Sequence, residues 1–245
     1  MSNPKWSFLV ACHNVAPFIG QCLDSLRVQT LEDWEAVVVD DLSTDGTVDI
    51  VKSYAAADPR IRLIQLPANG GYGVALHTAI HHARGEFCGV VDGDDLIYTH
   101  AAKRMSALYD ANPDVVHIWS QHDKCDDKGN IRTDMWTSDG TRNMFAKWGH
   151  GYSHWRTFRT AARDKIQVID PSIPCAVDKD MGMRLDEAGK GMFLAERLYI
   201  HRLHAATLSA RSVYQQHFYH GVAMERARVR RGLAADAMGR TWKNV

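Results

Sequence analysis

The chain has 245 residues, 45% hydrophobic and 24% charged, an ordinary globular composition that excludes disordered, collagenous and fibrous classes. Its 29 Lys and Arg residues balance 29 Asp and Glu, so no global field draws it to nucleic acid, and any electrostatics that matter are local. No apolar run approaches the roughly 20 residues that cross a bilayer, and the N-terminus lacks the apolar core of a signal peptide, so a soluble, cytoplasmic protein is expected.

The first half alternates short apolar runs with amphipathic stretches of helical length, the pattern of a parallel sheet covered by helices on both faces. Residues 6–12 and 34–40 read as strands, the second (WEAVVVD) with a β-branched centre suited to burial on both sides. A helix over 18–28 carries Phe18, Ile19, Cys22, Leu23 and Leu26 at helical spacing. Ser43, Thr44 and Asp45 offer caps for a helix over 46–56 that Pro59 ends. A strand over 61–66, a helix over 73–83 and a strand over 86–91 follow, and that last strand runs straight into Asp92-Gly93-Asp94-Asp95. A helix over 99–111 and a strand over 115–119 complete the clear alternation. Residues 121–172 are polar, with turn signals at Asp127-Lys128-Gly129-Asn130 and Ser138-Asp139-Gly140; a hairpin and an exposed connection carrying substrate contacts are expected there. Order returns with a helix over 178–188 stopped by Gly189, a strand over 192–200 and a helical tail over 211–239. Cys12, Cys22, Cys88, Cys125 and Cys175 are odd in number and scattered, which predicts buried hydrophobes rather than disulfides or a zinc site.

Asp92, Asp94 and Asp95 carry the strongest chemical signal. Carboxylates this close repel one another and lose solvation on burial, so packing gives no reason to place three in four positions behind an apolar strand. A divalent cation does. Oxygen ligands suit Mg²⁺ or Mn²⁺, whose shells are commonly completed by water and substrate phosphates. A second acidic turn, Asp40-Asp41-Leu42-Ser43-Thr44-Asp45-Gly46, follows the second strand, and Asn14 follows the first. Both fall on the same sheet edge, where ligands bind in open α/β sheets. There Asp41 can accept from a base N–H.

Taken together, Cys12-His13-Asn14, Asp40 to Thr47, Asn69-Gly70-Gly71, Gly85-Glu86-Phe87 and Asp92-Gly93-Asp94-Asp95 resemble the family 2 glycosyltransferases over residues 5–120 and, more loosely, 175–210. The resemblance implies an A-type glycosyltransferase fold, a Rossmann-like, mostly parallel central sheet flanked by helices, with residues 211–245 as a helical tail. It implies a catalytic domain over 1–210, its nucleotide-sugar half 1–120 and its acceptor half 121–210. The implied activity is inverting transfer from a nucleotide-diphosphate sugar, UDP-linked, to the hydroxyl of a glycan or lipid-linked acceptor in polysaccharide synthesis. Ala11, His13, Asn14, Asp41, Asn69, Gly70, Asp92, Gly93 and Asp94 would line the donor. Asp95, with Asp94 and His204, would hold Mn²⁺ or Mg²⁺. Asp180 would be the general base and Asp178 its reserve, in the acidic pair that opens the helix at 178. Leu76-His77 stands where relatives often show Arg-Asn.

Other features have competing readings. His150 with His154, and His201 with His204, suggest zinc, but no Glu accompanies the first pair and an extended segment would point the second pair apart. Trp136, Trp148, Tyr152, His154 and Trp155 form either an acceptor wall or core. The tail, with Arg226, Arg228, Arg230, Arg231, Arg240 and Lys243, offers peripheral contact with an anionic membrane or packs as a solvated helix. Homo-oligomerisation stays open. A sugar nucleotidyltransferase would show a Gly-rich basic loop after the first strand, which Ala11 to Pro17 lacks; a non-catalytic nucleotide-sugar-binding module would not need the full aspartate set.

Overall fold

The structure is a computed structural model that describes residues 3–132, 154–205 and 213–233. In chain order the elements are β1 (Trp6–Cys12), α1 (Ala16–Arg27), β2 (Trp34–Asp40), α2 (Thr47–Ala57), β3 (Ile61–Gln65), α3 (Tyr72–His82), β4 (Phe87–Asp92), β5 (Leu96–Ile97), α4 (Ala101–Ala111), β6 (Val115–Cys125), β7 (Ile131–Arg132), β8 (Arg156–Arg159), α5 (Val177–Ala188), β9 (Lys190–Arg202) and α6 (Val213–Arg230). The expected elements of the first half lie within two residues of these bounds. Two departures stand out. The strand expected over 115–119 continues to Cys125, because its polar second half still alternates in burial and pairs with β9 along its length. The unassigned segment contributes the hairpin turn at Asp126 to Asn130 and the strand β8, while Ser138-Asp139-Gly140 lies outside the described residues.

The strands form one sheet in the order β3-β2-β1-β4-β8-β6-β9-β5, with β7 paired to β6. β1, β2, β3 and β4 run parallel, as do β6 and β9, whereas β8 runs antiparallel between β4 and β6. Register decides what meets at the edge. Ala11 is opposite both Val39 and Asp92, and Cys12 is opposite Asp40, so three strands deliver their carboxyl ends to one line.

Alternation along β1 feeds two cores. Trp6, Phe8 and Val10 face α1 and α4 with Leu23, Leu26, Met105 and Tyr109, while Leu9 and Ala11 face α3 and α5 with Leu76, Ile80, Met181 and Leu185. Burying each such large side chain stabilises the fold by about 1.5–3 kcal/mol, which is what fixes the register at the edge above. Trp155 is fully buried, stacks on Trp6 at 5.2 Å and lies over Gly89, where an added Cβ would approach it to 2.4 Å. It belongs to the core and not to an acceptor wall. Trp136, Trp148 and Tyr152, like His150, lie outside the described residues. Cys12, Cys22, Cys88 and Cys125 are buried and all five thiols are free, as expected.

Candidate active site

β4 ends at Asp92, and the chain folds back against β1 so tightly that a Cβ on Gly93 would lie 2.9 Å from Cys12 Cβ and 3.2 Å from the Ala11 carbonyl oxygen. That same carbonyl accepts from Gly93 N–H at 3.2 Å, so Ala11 and Gly93 shape the elbow through their backbones. The three carboxylates then have different surroundings. Asp92 accepts from Tyr72 Oη (2.6 Å) and from Arg156 Nη2 (3.3 Å). Burial pushes its carboxyl up against the pull of Arg156.

Asp95 is 1% exposed and accepts from Tyr199 Oη (2.7 Å), the Arg202 backbone N–H (2.7 Å) and His201 Nδ1 (3.2 Å). Burial pulls the His201 ring down, but Asp95 beside it leaves the imidazole raised overall. Arg202, itself fully buried, donates to the Asp94 and Asp127 carbonyls and to Gln21 Oε1, pinning the elbow to the β6–β7 hairpin and to α1. Three protein donors occupy three of the roughly four lone-pair sites of the Asp95 carboxylate, so it holds the elbow in shape and keeps acceptor capacity for a cation. Asp94 is different. Its Oδ2 meets His204 Nε2 at 2.9 Å, both side chains are partly exposed, and burial with Asp95 and Asp92 nearby pushes its carboxyl up to about 6. Ligand atoms of Asp92, Asp95 and His154 also converge within 4.8 Å of one another.

The neighbouring loops make the donor side. His13 Nδ1 lies 2.7 Å from the Asp41 carbonyl oxygen, and Asn14 Oδ1 accepts from Thr44 N–H at 2.8 Å. Asp45 accepts from both Ala16 and Thr47 N–H groups, serving the starts of α1 and α2 with one carboxylate. Asp41 is nearly buried; its oxygens accept from Gly70 N–H (2.7 Å) and Gly71 N–H (2.8 Å), and Asn69 donates to its carbonyl. Asp41 therefore anchors the 69–71 loop, and a base N–H would share its remaining lone pairs.

The acidic pair of α5 separates by burial. Asp180 is fully buried, receives Arg184 Nε (2.7 Å) and the Asp170 N–H (2.8 Å), and has Arg230 at 3.7 Å. Burial raises its carboxyl in spite of Arg184. Its Oδ2 is held by these protein donors, while its buried Oδ1 has no hydrogen-bond partner among the described residues. Asp178 is 44% exposed and lies 4.0 Å from Arg156 Nη1, the same guanidinium that contacts Asp92. The reserve carboxylate is the one connected to the elbow.

A model of the family described as "Glycosyl transferase family 2" matches residues 7–176. The chain belongs to the family 2 glycosyltransferases. It is 26% identical over 233 residues to a hyaluronan synthase of Pasteurella multocida, an alignment covering 94% of this chain and 24% of that protein. It is also 42% identical over 109 residues to the uncharacterised glycosyltransferase EpsJ of Bacillus subtilis, covering 44% of this chain and 31% of that one. The chain thus spans a third or less of either relative's length. Among solved structures, TarS of S. aureus in complex with UDP-GlcNAc superposes with a TM-score of 0.72 at 22% identity, covering 85% of this chain and 61% of that one. The mannosyltransferase PcManGT of Pyrobaculum calidifontis, in complex with GDP-Man and Mn²⁺, gives 0.70 at 20% identity, covering 94% and 65%. These neighbours show the A-type glycosyltransferase fold.

Within this family 2 chain, sequence reasoning missed Tyr72, Arg156 and Tyr199. Each reaches the elbow from a distant element, and only the position of His154 in an aromatic stretch hinted that β8 approaches the site. The tail's four described arginines are spent inside the molecule: Arg226 on Asp170, Arg228 on Glu225, Arg230 and Arg231 on Glu187. This is the packed-helix alternative for 213–233, while Arg240 and Lys243 lie outside the described residues. No described helix is long and apolar enough to cross a membrane.

Proposed function

We propose that the chain transfers a glycosyl group from a UDP-sugar to a hydroxyl of a growing polysaccharide or other cell-surface glycan, inverting the anomeric carbon in a single displacement. The reading rests on one observation: the partly exposed Asp94–His204 pair sits on the same elbow as Asp92, which Arg156 links to the half-exposed Asp178. Polysaccharide synthesis is favoured by the hyaluronan synthase among the relatives, and uridine by the UDP-GlcNAc complex of TarS.

The donor set fits a divalent cation. Asp94 offers an oxygen whose proton affinity is raised by burial and then by the neighbouring Asp95 and Asp92, and His204 offers an imidazole nitrogen at 2.9 Å from it. Mn²⁺ or Mg²⁺ bound there would stabilise the negative charge that builds on the departing diphosphate. Asp94, His204 and the remaining acceptor capacity of Asp95 are assigned as the ligands, Asp95 also holding the elbow in shape. His13, Asn14, Asp41, Asn69 and Gly70 are assigned to the nucleoside, since they gather at the ends of β1 and β2. An acceptor hydroxyl is far too weak an acid to ionise alone at neutral pH, so Asp178 takes its proton during attack. Arg156 orients that carboxylate relative to Asp92. Back-face attack inverts the centre through a transition state with oxocarbenium character.

A thermal-shift panel of UDP-, GDP-, ADP- and CMP-sugars with Mn²⁺ identifies the donor. Product analysis by NMR then reports the anomeric configuration. A selective response to a UDP-sugar followed by an inverted product is expected; no response to any nucleotide sugar, or a retained configuration, overturns the proposal.

A further inference from the structure

We propose that His77 and His81 form a clamp for a borderline-soft divalent metal ion, Zn²⁺ foremost, at a second site separate from the acidic elbow. The two residues stand one turn apart on α3, with their Nε2 atoms 3.1 Å apart and ring centroids at 4.3 Å. Two metal–imidazole bonds of about 2.0–2.1 Å, meeting at angles between octahedral and tetrahedral, require an N···N separation of about 2.9–3.4 Å. The observed separation, spanned by an imidazole–imidazole hydrogen bond, lies inside that window, and an ion would take the place of the shared proton. Residues at i and i+4 share one face of a helix, so both imidazoles reach the same ion.

The pocket beside the pair carries Arg163 and Lys165 against one carboxylate, Asp164, which pairs with Arg163 at 3.4 Å, so the ion is held by the imidazoles alone. The pair borders a cavity of about 400 Å³ whose other walls include Arg163, Asp164, Lys165 and Gln167, which leaves space for coordinated water. Arg163 is committed elsewhere, donating from Nη1 to the Ile80 and Ala83 carbonyls at 2.9 Å each. Among the described residues no third His, Cys, Asp or Glu joins the pair within 4.8 Å, so water completes the shell and the ion exchanges readily. Ligand type separates this clamp from the elbow: imidazole nitrogen selects Zn²⁺, Ni²⁺ or Cu²⁺, and carboxylate oxygen selects Mg²⁺ or Mn²⁺. An ion bridging one turn of α3 braces the helix that presents Tyr72 to Asp92, so its effect is read in stability.

The test is calorimetric titration of the full chain with ZnCl₂ in the presence of saturating Mn²⁺, repeated on His77→Asn, His81→Asn and, as a control for general histidine content, the exposed His82→Asn. Zinc affinity is expected to fall about tenfold or more in the first two variants, since even outer-shell partners of a metal cost about 10–100-fold when lost. It should persist in the third, and a zinc-dependent rise in Tm should follow the same pattern. Equal zinc affinity in the native chain, His77→Asn and His81→Asn overturns the proposal, as does an equal loss in His82→Asn. Should the first two variants fail to fold, protection of His77 and His81 from diethylpyrocarbonate by Zn²⁺ in the native chain, read by mass spectrometry, decides it: no protection refutes the clamp.

Discussion

Replacing Asp178 with Asn, alongside Asp180 with Asn, separates chemistry from architecture at the start of α5. Asp178 is 44% exposed and only 4.0 Å from Arg156, so losing its charge costs at most about 1 kcal/mol of stability. As a general base it contributes about 10²–10⁴ in rate, or about 2.7–5.5 kcal/mol of barrier at roughly 1.36 kcal/mol per tenfold. Asp178→Asn should therefore melt near the native temperature, bind donor normally and lose at least about a hundredfold in turnover. Asp180 is the reverse case. It is fully buried against Arg184 at 2.7 Å, and breaking a buried pair costs about 3–5 kcal/mol. Asp170 also contacts Arg184, at 3.3 Å, and Asn keeps an acceptor for the Asp170 N–H, so the low end applies. About 3 kcal/mol in a chain of this size lowers Tm by about 6–12 °C. Per folded molecule, Asp180→Asn should keep its turnover. The assay is nucleotide release from the responsive donor, normalised to folded protein by circular dichroism below the transition. A folded but inactive Asp180→Asn beside an active Asp178→Asn would reverse the assignment and refute the argument from burial.

The elbow yields further expectations. Asp94→Ala should weaken donor binding in Mn²⁺ by about tenfold or more, and equal native affinity with and without Mn²⁺ in calorimetry removes the metal from the reading. Because burial and the neighbouring Asp95 and Asp92 push the Asp94 carboxyl up to about 6, protons compete with the cation below that value; Mn²⁺ affinity should fall between pH 7.5 and 5.5, and a flat profile contradicts the assignment. The same shift carries a stability sign. A carboxyl raised from 3.8 to about 6 in the fold adds stability below its unfolded pKa that is lost as pH rises through 6, a difference of at most about 3 kcal/mol. Asp94→Asn removes that loss, so without metal it should melt above the native chain at pH 7.5 and converge with it near pH 4; a lower Tm at pH 7.5 refutes the strain. Gly93→Ala forces a Cβ to 2.9 Å from Cys12 Cβ and should cost about 1–3 kcal/mol in urea denaturation, whereas an unchanged midpoint shows that the elbow does not press on β1.

What could be read from the residues follows the range of the interactions that decide each feature. β1 and β2 were legible to the residue because their apolar runs are local and both faces are buried. The elbow was legible because three carboxylates in four positions conflict with packing wherever they lie. The division of labour within it was not, because Asp95 acquires its donors from Tyr199, His201 and Arg202, more than a hundred residues away. Asp178 and Asp180 show the same limit in its sharpest form. Two residues apart on a helix they point about 200° from one another, so periodicity says that they differ but not which faces solvent. That depends on α6, whose Arg230 approaches Asp180, and on β8, whose Arg156 approaches Asp178. β8 enters antiparallel between β4 and β6 out of a polar stretch with no periodic signal, so the residue that ties the proposed base to the elbow lay in the least readable part of the chain. Local pattern therefore marks where charge is costly, and only the long-range pairings reveal which of those charges remain free to react.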